Sequence, residues 1–275
     1  MKKNILTKLL LSVLLLASAL TNALAGGMPV KKGKYILSGS ISYFRSNDLW
    51  GGSGKVVKYP SNGYFSSTSV SLYGEYGISR RFTAVVTLPY LVNDFILEDG
   101  INSVSGLGDA EVGLRYYLGN IGFKHYFGLQ ASAVLPLYSN ATLGFSKPAV
   151  DAKISYSGSG KLGSKSISLG GDIGVRQYFE SEGPFQFKYS GNFSYYIGKK
   201  DQIGVGVSGA ISTSINKTVN PNILINKDYS FTMASLNYGH NFTPKLSLFA
   251  GANHILVGRS TGRGNSFLLS VITKF

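Results

Sequence analysis

The stretch Asn265–Phe275, NSFLLSVITKF, alternates in character and ends the chain on an aromatic residue. Phe267, Leu269, Val271, Thr273 and Phe275 fall on one face of a strand, and Ser266, Leu268, Ser270, Ile272 and Lys274 on the other. One face suits lipid and the other suits a mixed lumen, so the segment reads as the closing strand of an outer-membrane β-barrel. Phe275 is then the terminal aromatic that barrel-assembly machinery recognises. The competing reading is an ordinary C-terminal strand of a soluble sheet.

The other terminus argues for export. Lys2, Lys3 and Lys8 precede an apolar run from Leu9 to Leu20, and Ala23-Leu24-Ala25 follows, just before Gly26. This is the pattern of a secretory signal peptide over residues 1–25, leaving residues 26–275 as the barrel. The apolar run is too short to cross a bilayer as a helix, and no later stretch is long enough. The chain has no Cys, which excludes a lipid-anchored Cys. Lys31, Lys32 and Lys34 are expected to lie in a short mobile segment leading into the first strand.

Composition separates a barrel from a soluble exported domain. Gly accounts for 35 of 275 residues, Tyr and Phe for 18 and 16, and charged residues for only 15%. A soluble exported domain of this size carries more charge and often a disulfide. Removing residues 1–25 takes away three Lys and no acid, which lowers the formal charge from +14 to +11. Contact of basic loops with anionic lipid headgroups explains that excess, and an anion-preferring lumen is the alternative. Nucleic-acid binding is excluded because no basic cluster or helix collects the charge.

Period-2 segments recur along the chain, and the architecture they predict is all-β: a transmembrane antiparallel up-and-down barrel of about twelve strands. The expected strands are Tyr35–Arg45, Tyr64–Gly77, Phe82–Tyr90, Leu107–Leu118, Lys124–Leu137, Ser166–Phe179, Phe185–Ile197, Ile203–Ile215, Val219–Asn226, Tyr229–Tyr238, Lys245–Asn253 and Asn265–Phe275. In the first, Leu37, Ile41 and Tyr43 point out and Ser38, Ser40 and Ser42 point in. In the third, Phe82, Ala84, Val86, Leu88 and Tyr90 point out. Val219–Asn226 contains Pro221 and is retained on parity, since an odd count leaves the two ends of the chain on opposite sides. Four short turns are then periplasmic: Ile78–Arg81, Gly119–Gly122, Glu180–Pro184 and Asn241–Pro244. Three long connections, Ser46–Gly63, Leu91–Gly106 and Tyr138–Lys165, face outward. The last, containing YSGSGKLGSK, reads as a mobile loop.

The residues Tyr73-Gly74-Glu75-Tyr76-Gly77, Thr87-Leu88-Pro89-Tyr90 and Ser103-Val104-Ser105-Gly106-Leu107-Gly108-Asp109-Ala110-Glu111-Val112-Gly113-Leu114-Arg115-Tyr116-Tyr117 resemble the barrel transporters of the MetA-pathway phenol-degradation family. The match is close over Leu72 to Leu118 and follows strand layout over most of the remaining chain. The resemblance implies outer-membrane location and uptake of small, often hydrophobic compounds.

In this register the charged residues pointing inward are Glu75, Asp109, Glu111, Arg115, Asp172, Arg176 and Lys188. Val112-Gly113-Leu114-Arg115-Tyr116-Tyr117-Leu118 parallels Ile173-Gly174-Val175-Arg176-Gln177-Tyr178-Phe179, placing Gly, Arg and Tyr inward in the same order on two descending strands. Such charges either fill the lumen as ion pairs that fix the barrel's register, or form a constriction that selects solutes by charge and size.

Enzyme chemistry finds little support. None of His125, His240 and His254 stands in a His-x-Ser arrangement expected of a barrel phospholipase, and His125 points to lipid. Gly204-Val205-Gly206-Val207-Ser208-Gly209 matches G-x-G-x-x-G, but it continues into an alternating strand rather than opening a helix. No catalytic residue, cofactor or metal site is predicted. The expected function is an outer-membrane channel or uptake transporter for an unidentified small solute, possibilities for which include hydrophobic and anionic compounds. A structural or adhesion barrel with a plugged lumen is the alternative, and a lipid-modifying enzyme the third reading. The expected partners are outer-membrane lipid and the assembly machinery.

Overall fold

The computed structural model describes residues 27–97, 100–140, 142–181, 183–215 and 226–275. Among them fourteen strands form: β1 (Tyr35–Trp50), β2 (Val56–Lys58), β3 (Tyr64–Gly77), β4 (Phe82–Leu97), β5 (Gly100–Leu107), β6 (Asp109–Ile121), β7 (His125–Pro136), β8 (Ala149–Leu162), β9 (Lys165–Tyr178), β10 (Phe185–Tyr196), β11 (Asp201–Thr213), β12 (Tyr229–Asn241), β13 (Leu246–Arg259) and β14 (Thr261–Lys274). Every pairing is antiparallel, and β14 pairs with β1 from Ile36↔Lys274 to Trp50↔Thr261. That pairing closes the sheet into a barrel, which removes the unpaired edge that hydrocarbon does not tolerate. The strand β2 only extends the outer end of β1, and β5 with β6 forms one strand broken at Gly108, both parts pairing with β4. The wall therefore has twelve strands.

The alternation expected of a barrel wall is observed. Leu37, Tyr43, Phe82, Val86, Tyr90, Phe267 and Leu269 are exposed on the outside, whereas Ser38, Ser40, Thr83, Val85, Leu268, Ser270 and Ile272 are buried inside. Outward apolar side chains in such numbers stay exposed by the protein itself and require lipid, so the exterior is a membrane-facing surface. Aromatic rings mark its lower boundary. Tyr35 stacks on Phe275 at 4.5 Å between centroids, and Phe82 lies 5.2 Å from Tyr116. Tyr35 to Tyr43 spans eight steps, roughly 27 Å along the strand, which a tilt of about 40° reduces to about 21 Å of height, most of an apolar band about 25 Å tall.

The number of wall strands agrees with the sequence reading, but two elements differ. Residues 149–162, assigned to a mobile loop, form β8, paired with β7 and β9. Its outward positions include Val150, Ala152, Ile154, Tyr156 and Leu162, an ordinary lipid face hidden by the Gly and Ser content at its end. The expected strand Val219–Asn226 lies, apart from Asn226, outside the described residues, and β8 supplies the even count without it. One consequence is a change of direction: β9 ascends while β6 descends, so the Gly-Arg-Tyr phrases run oppositely. A second is that Glu180–Pro184 sits at the end opposite the termini, where Tyr178 reaches Asp109. The segment Leu91–Gly106 is not a loop either, because β4 and β5 continue the wall outward as a hairpin.

The short connections 78–81, 122–124, 163–164, 197–200 and 242–245 cluster at one end, together with the start of β1 and the end of β14, and short turns mark the periplasmic end of such a barrel. The segment preceding β1 enters the lumen there. Val30 is buried, its amide donating to Thr83 Oγ1 at 3.4 Å, and Gly33 N–H donates to Gly77 O at 2.8 Å. Gly77 has no room for a side chain, since a Cβ would lie 2.3 Å from the Lys31 carbonyl oxygen. Gly27 reaches Gly128 on β7, close to the Arg115 side chain. Gly27 and Val30 are thus packed into the mouth, while Lys31, Lys32 and Lys34, expected in a mobile leader, are exposed, with Gly33 N–H donating to Gly77 O and Lys34 O accepting from Gly77 N–H.

Candidate lumen site

Two buried charge networks occupy the wall formed by β3 to β10. In the lower one, Arg115 of β6 is 1% exposed. Its guanidinium donates to Glu75 Oε1 at 3.0 Å, to Tyr73 Oη at 3.0 Å and to Gln130 Oε1 at 3.1 and 3.2 Å. Tyr73 also donates to Glu75, and Gln130 donates to Ser132 at 3.0 Å. The alternation of β3, β6 and β7 brings these side chains to one level, because Tyr73, Glu75, Arg115 and Gln130 all occupy inward positions. Every charge has a partner, the condition under which a buried ion pair is tolerated.

The upper network centres on Arg176 of β9. It bonds Asp151 Oδ2 at 3.0 Å and also Glu111, and Lys188 reaches the same Asp151 oxygen at 2.5 Å. Asp109 accepts from Tyr138 Oη at 2.7 Å and from Tyr178 Oη at 3.2 Å. Tyr138 belongs to the outer connection 137–148, which packs into the mouth: Leu143 is buried, Thr142 O accepts from Asn93, and Phe145 packs edge-on against Tyr178. Burial and the neighbouring Asp109 push the Tyr138 hydroxyl up from its ordinary value, so it remains a proton donor. On the other side of the mouth, burial raises Tyr59 to about 12, and its hydroxyl donates to Ser46 Oγ at 3.2 Å.

All seven inward charges expected from sequence therefore project inward. Glu75 and Arg115 meet in the lower network, while Glu111, Arg176 and Lys188 meet in the upper one, with Asp109 at its edge. Asp172 stands apart, accepting from Ser155 and from Ser190 at 3.3 Å. Sequence reading missed Asp151, the acceptor shared by Arg176 and Lys188, because it lies on the unrecognised β8. The alternation of Val150, Ala152 and Ile154 around it was the available signal.

The opposite half of the lumen, walled by β10 to β14, is chemically different. A cavity of about 60 Å³ there is lined by Ser190, Asn192, Ser194, Gln202, Ser235 and Asn237, by Gly204 and Gly239, and by the apolar Met233, Phe249 and Leu268, with no charged side chain. Small inward residues leave this side open while arginines pack the other. A barrel of twelve strands is wider than one that side chains fill completely, so space remains.

No family model matches the chain, and no curated protein matches it. Solved structures do match. The crystal structure of an outer membrane channel from Pseudomonas putida F1 superposes with a TM-score of 0.69 over 94% of this chain and 100% of that one, at 15% identity. The fold is that of an outer-membrane barrel. The NanC porin superposes with a TM-score of 0.51 over 86% of this chain and all of its own length, at 10% identity.

Proposed function

We propose that this chain is an outer-membrane channel or uptake barrel for small solutes. The observation that carries the proposal is the asymmetric lumen, with one wall cross-linked by buried charges and the facing wall lined by small polar residues, glycines and a few apolar side chains around a cavity of about 60 Å³. A closed wall with an apolar exterior needs no such cavity for stability. The likeness to the Pseudomonas putida F1 channel supports the same reading through the fold, and the sequence resemblance to the MetA-pathway phenol-degradation family extends it to compounds including hydrophobic ones. Membership of that family belongs to this proposal.

The absence of enzymatic function is also part of the proposal. It is supported by the engagement of the histidines elsewhere: His125 Nδ1 pairs with Tyr156 Oη at 2.7 Å, His240 with Asp201 at 2.7 Å and His254 with Asn265 at 2.7 Å. The second reading, a plugged structural barrel, has one observation in its favour, the insert of residues 27–34 in the periplasmic mouth. Conductance of the purified protein in a planar bilayer decides between them. Discrete solute-dependent conductance supports the channel, and a silent bilayer at high protein load supports the plug.

A further inference from the structure

The charge of this protein is divided unevenly between its two ends. Among the described residues, the turns and strand ends on the periplasmic side carry Arg80, Arg81, Lys124, Lys161, Lys199 and Lys245 among their cations. Among the described residues only two acidic side chains lie at that level, and both are engaged: Glu75 with buried Arg115, and Asp201 with Tyr238 and His240. The insert of residues 27–34 packs against β3, β4 and β7, leaving the β8 to β10 side of the same mouth open. There a vestibule of about 850 Å³ is lined by Lys124, Lys161, Lys165 and Lys199 and by serines including Ser159 and Ser166, with no acidic side chain. Lys161, Ser159 and Ser166 sit at inward positions, since Ile154 and Leu162 on β8 and Leu169 and Ile173 on β9 face lipid.

We infer that this vestibule is an anion site, and that it gives the lumen its selectivity for small solutes bearing a carboxylate or phosphate group. Four lysines line one concavity, Lys165 Nζ donating also to Ile197 O at 2.6 Å, and serine hydroxyls supply neutral donors beside them. The buried networks do not supply this field, because their arginines are matched by Glu75, Glu111 and Asp151 at contact distance. Unmatched charge at one mouth has two physical signatures. It favours anions, and it makes current depend on the sign of the voltage. Both weaken with salt, since the screening length falls from about 10 Å at 0.1 M to about 3 Å at 1 M. The inference about selectivity rests on the channel reading, whereas anion binding does not.

The test compares wild type, the triple variant Lys124→Gln, Lys161→Gln, Lys199→Gln, and the control Lys245→Gln, Lys274→Gln, which alters the same rim outside the vestibule. In a neutral planar bilayer under a potassium chloride gradient, wild type and control should reverse at an anion-selective potential and rectify at low salt. The triple variant should lose both properties while retaining its folded mobility on a gel. Equal reversal potentials in all three would overturn the inference. If wild type does not conduct, the channel reading fails, and calorimetric titration with citrate in zwitterionic micelles tests the site directly. Citrate binding lost only in the triple variant upholds the anion site, and no binding overturns it. Displacement of citrate by added phosphatidylglycerol would assign the site to a lipid headgroup and overturn its role for soluble solutes.

Discussion

Arg115 shows how much depends on a single side chain. It is almost completely buried, and its guanidinium makes four hydrogen bonds, to Glu75, Tyr73 and twice to Gln130. Removing it leaves Glu75 charged and unpaired, an effect worth about 3–5 kcal/mol. Arg115→Ala should therefore lower the urea midpoint sharply, read through the fluorescence of Trp50, the chain's single tryptophan. Adding Glu75→Gln should restore part of the loss, and a double variant no more stable than the single one would show that the pair is not the origin. The inward direction of Arg115 was legible from Leu114 and Tyr116 beside it. Its partners Tyr73 and Gln130 were not, because alternation fixes a face but not which inward residues share a height. Register across the wall depends on the strand stagger, and the sequence of one strand does not contain that. A second residue-scale outcome tests the face itself. Val86 points to lipid, while Thr87 faces Glu111 across the β4–β6 ladder. Val86→Arg should cost roughly 2–4 kcal/mol near the midplane, and Thr87→Arg far less. Equal losses in urea refolding would mean that β4 is displaced by one residue.

Elements were legible in proportion to how apolar their outer face is. Strand β4 presents Phe82, Val86 and Tyr90 outward and stands out at once. Strand β8 ends in SYSGSGKL, so its outer face gives way to Gly158 and Gly160, and composition outweighed periodicity. Parity then demanded a twelfth strand, which β8 supplies among the described residues, while the segment Val219–Asn226 lies outside them apart from Asn226. The missed strand changed the direction of β9 and carried Asp151, so one element error propagated into the site. The C-terminal strand carries its own prediction. Strand β14 closes the wall on β1, and Phe275 fastens the seam by stacking on Tyr35 and donating its amide to Tyr35 O at 3.0 Å. Phe275→Asp places a carboxylate at the aromatic boundary and removes the stack. It should reduce the folded outer-membrane population several-fold, measured by heat-modifiable gel mobility. An unchanged folded fraction would remove Phe275 from the assembly signal.

At the scale of the whole molecule, the lumen is divided lengthwise, and the insert of residues 27–34 takes the same side as the charge networks. Gly27 lies over Gly128 and the aliphatic part of Arg115, so the insert rests directly on the lower network and covers it from the periplasm. Any route through the lumen is then left to the β8–β14 side, where the small mixed cavity and the lysine-lined vestibule lie. If the insert narrows this route, expelling it should widen the route without disturbing the wall, because the hydrogen-bond ladders from β1 to β14 do not include it. Two different changes should have the same effect. Deleting Met28 to Gly33 removes the insert, and Gly77→Val displaces it, since a Cβ at residue 77 collides with the carbonyl oxygens of Val30 and Lys31. Both variants should show a several-fold rise in single-channel conductance and a faster swelling of loaded vesicles, with the urea midpoint changed much less than in Arg115→Ala. Conductance that stays at the wild-type level in both would place the narrowest point elsewhere, at the outer mouth where Tyr138, Leu143 and Phe145 pack over Asp109 and Tyr178.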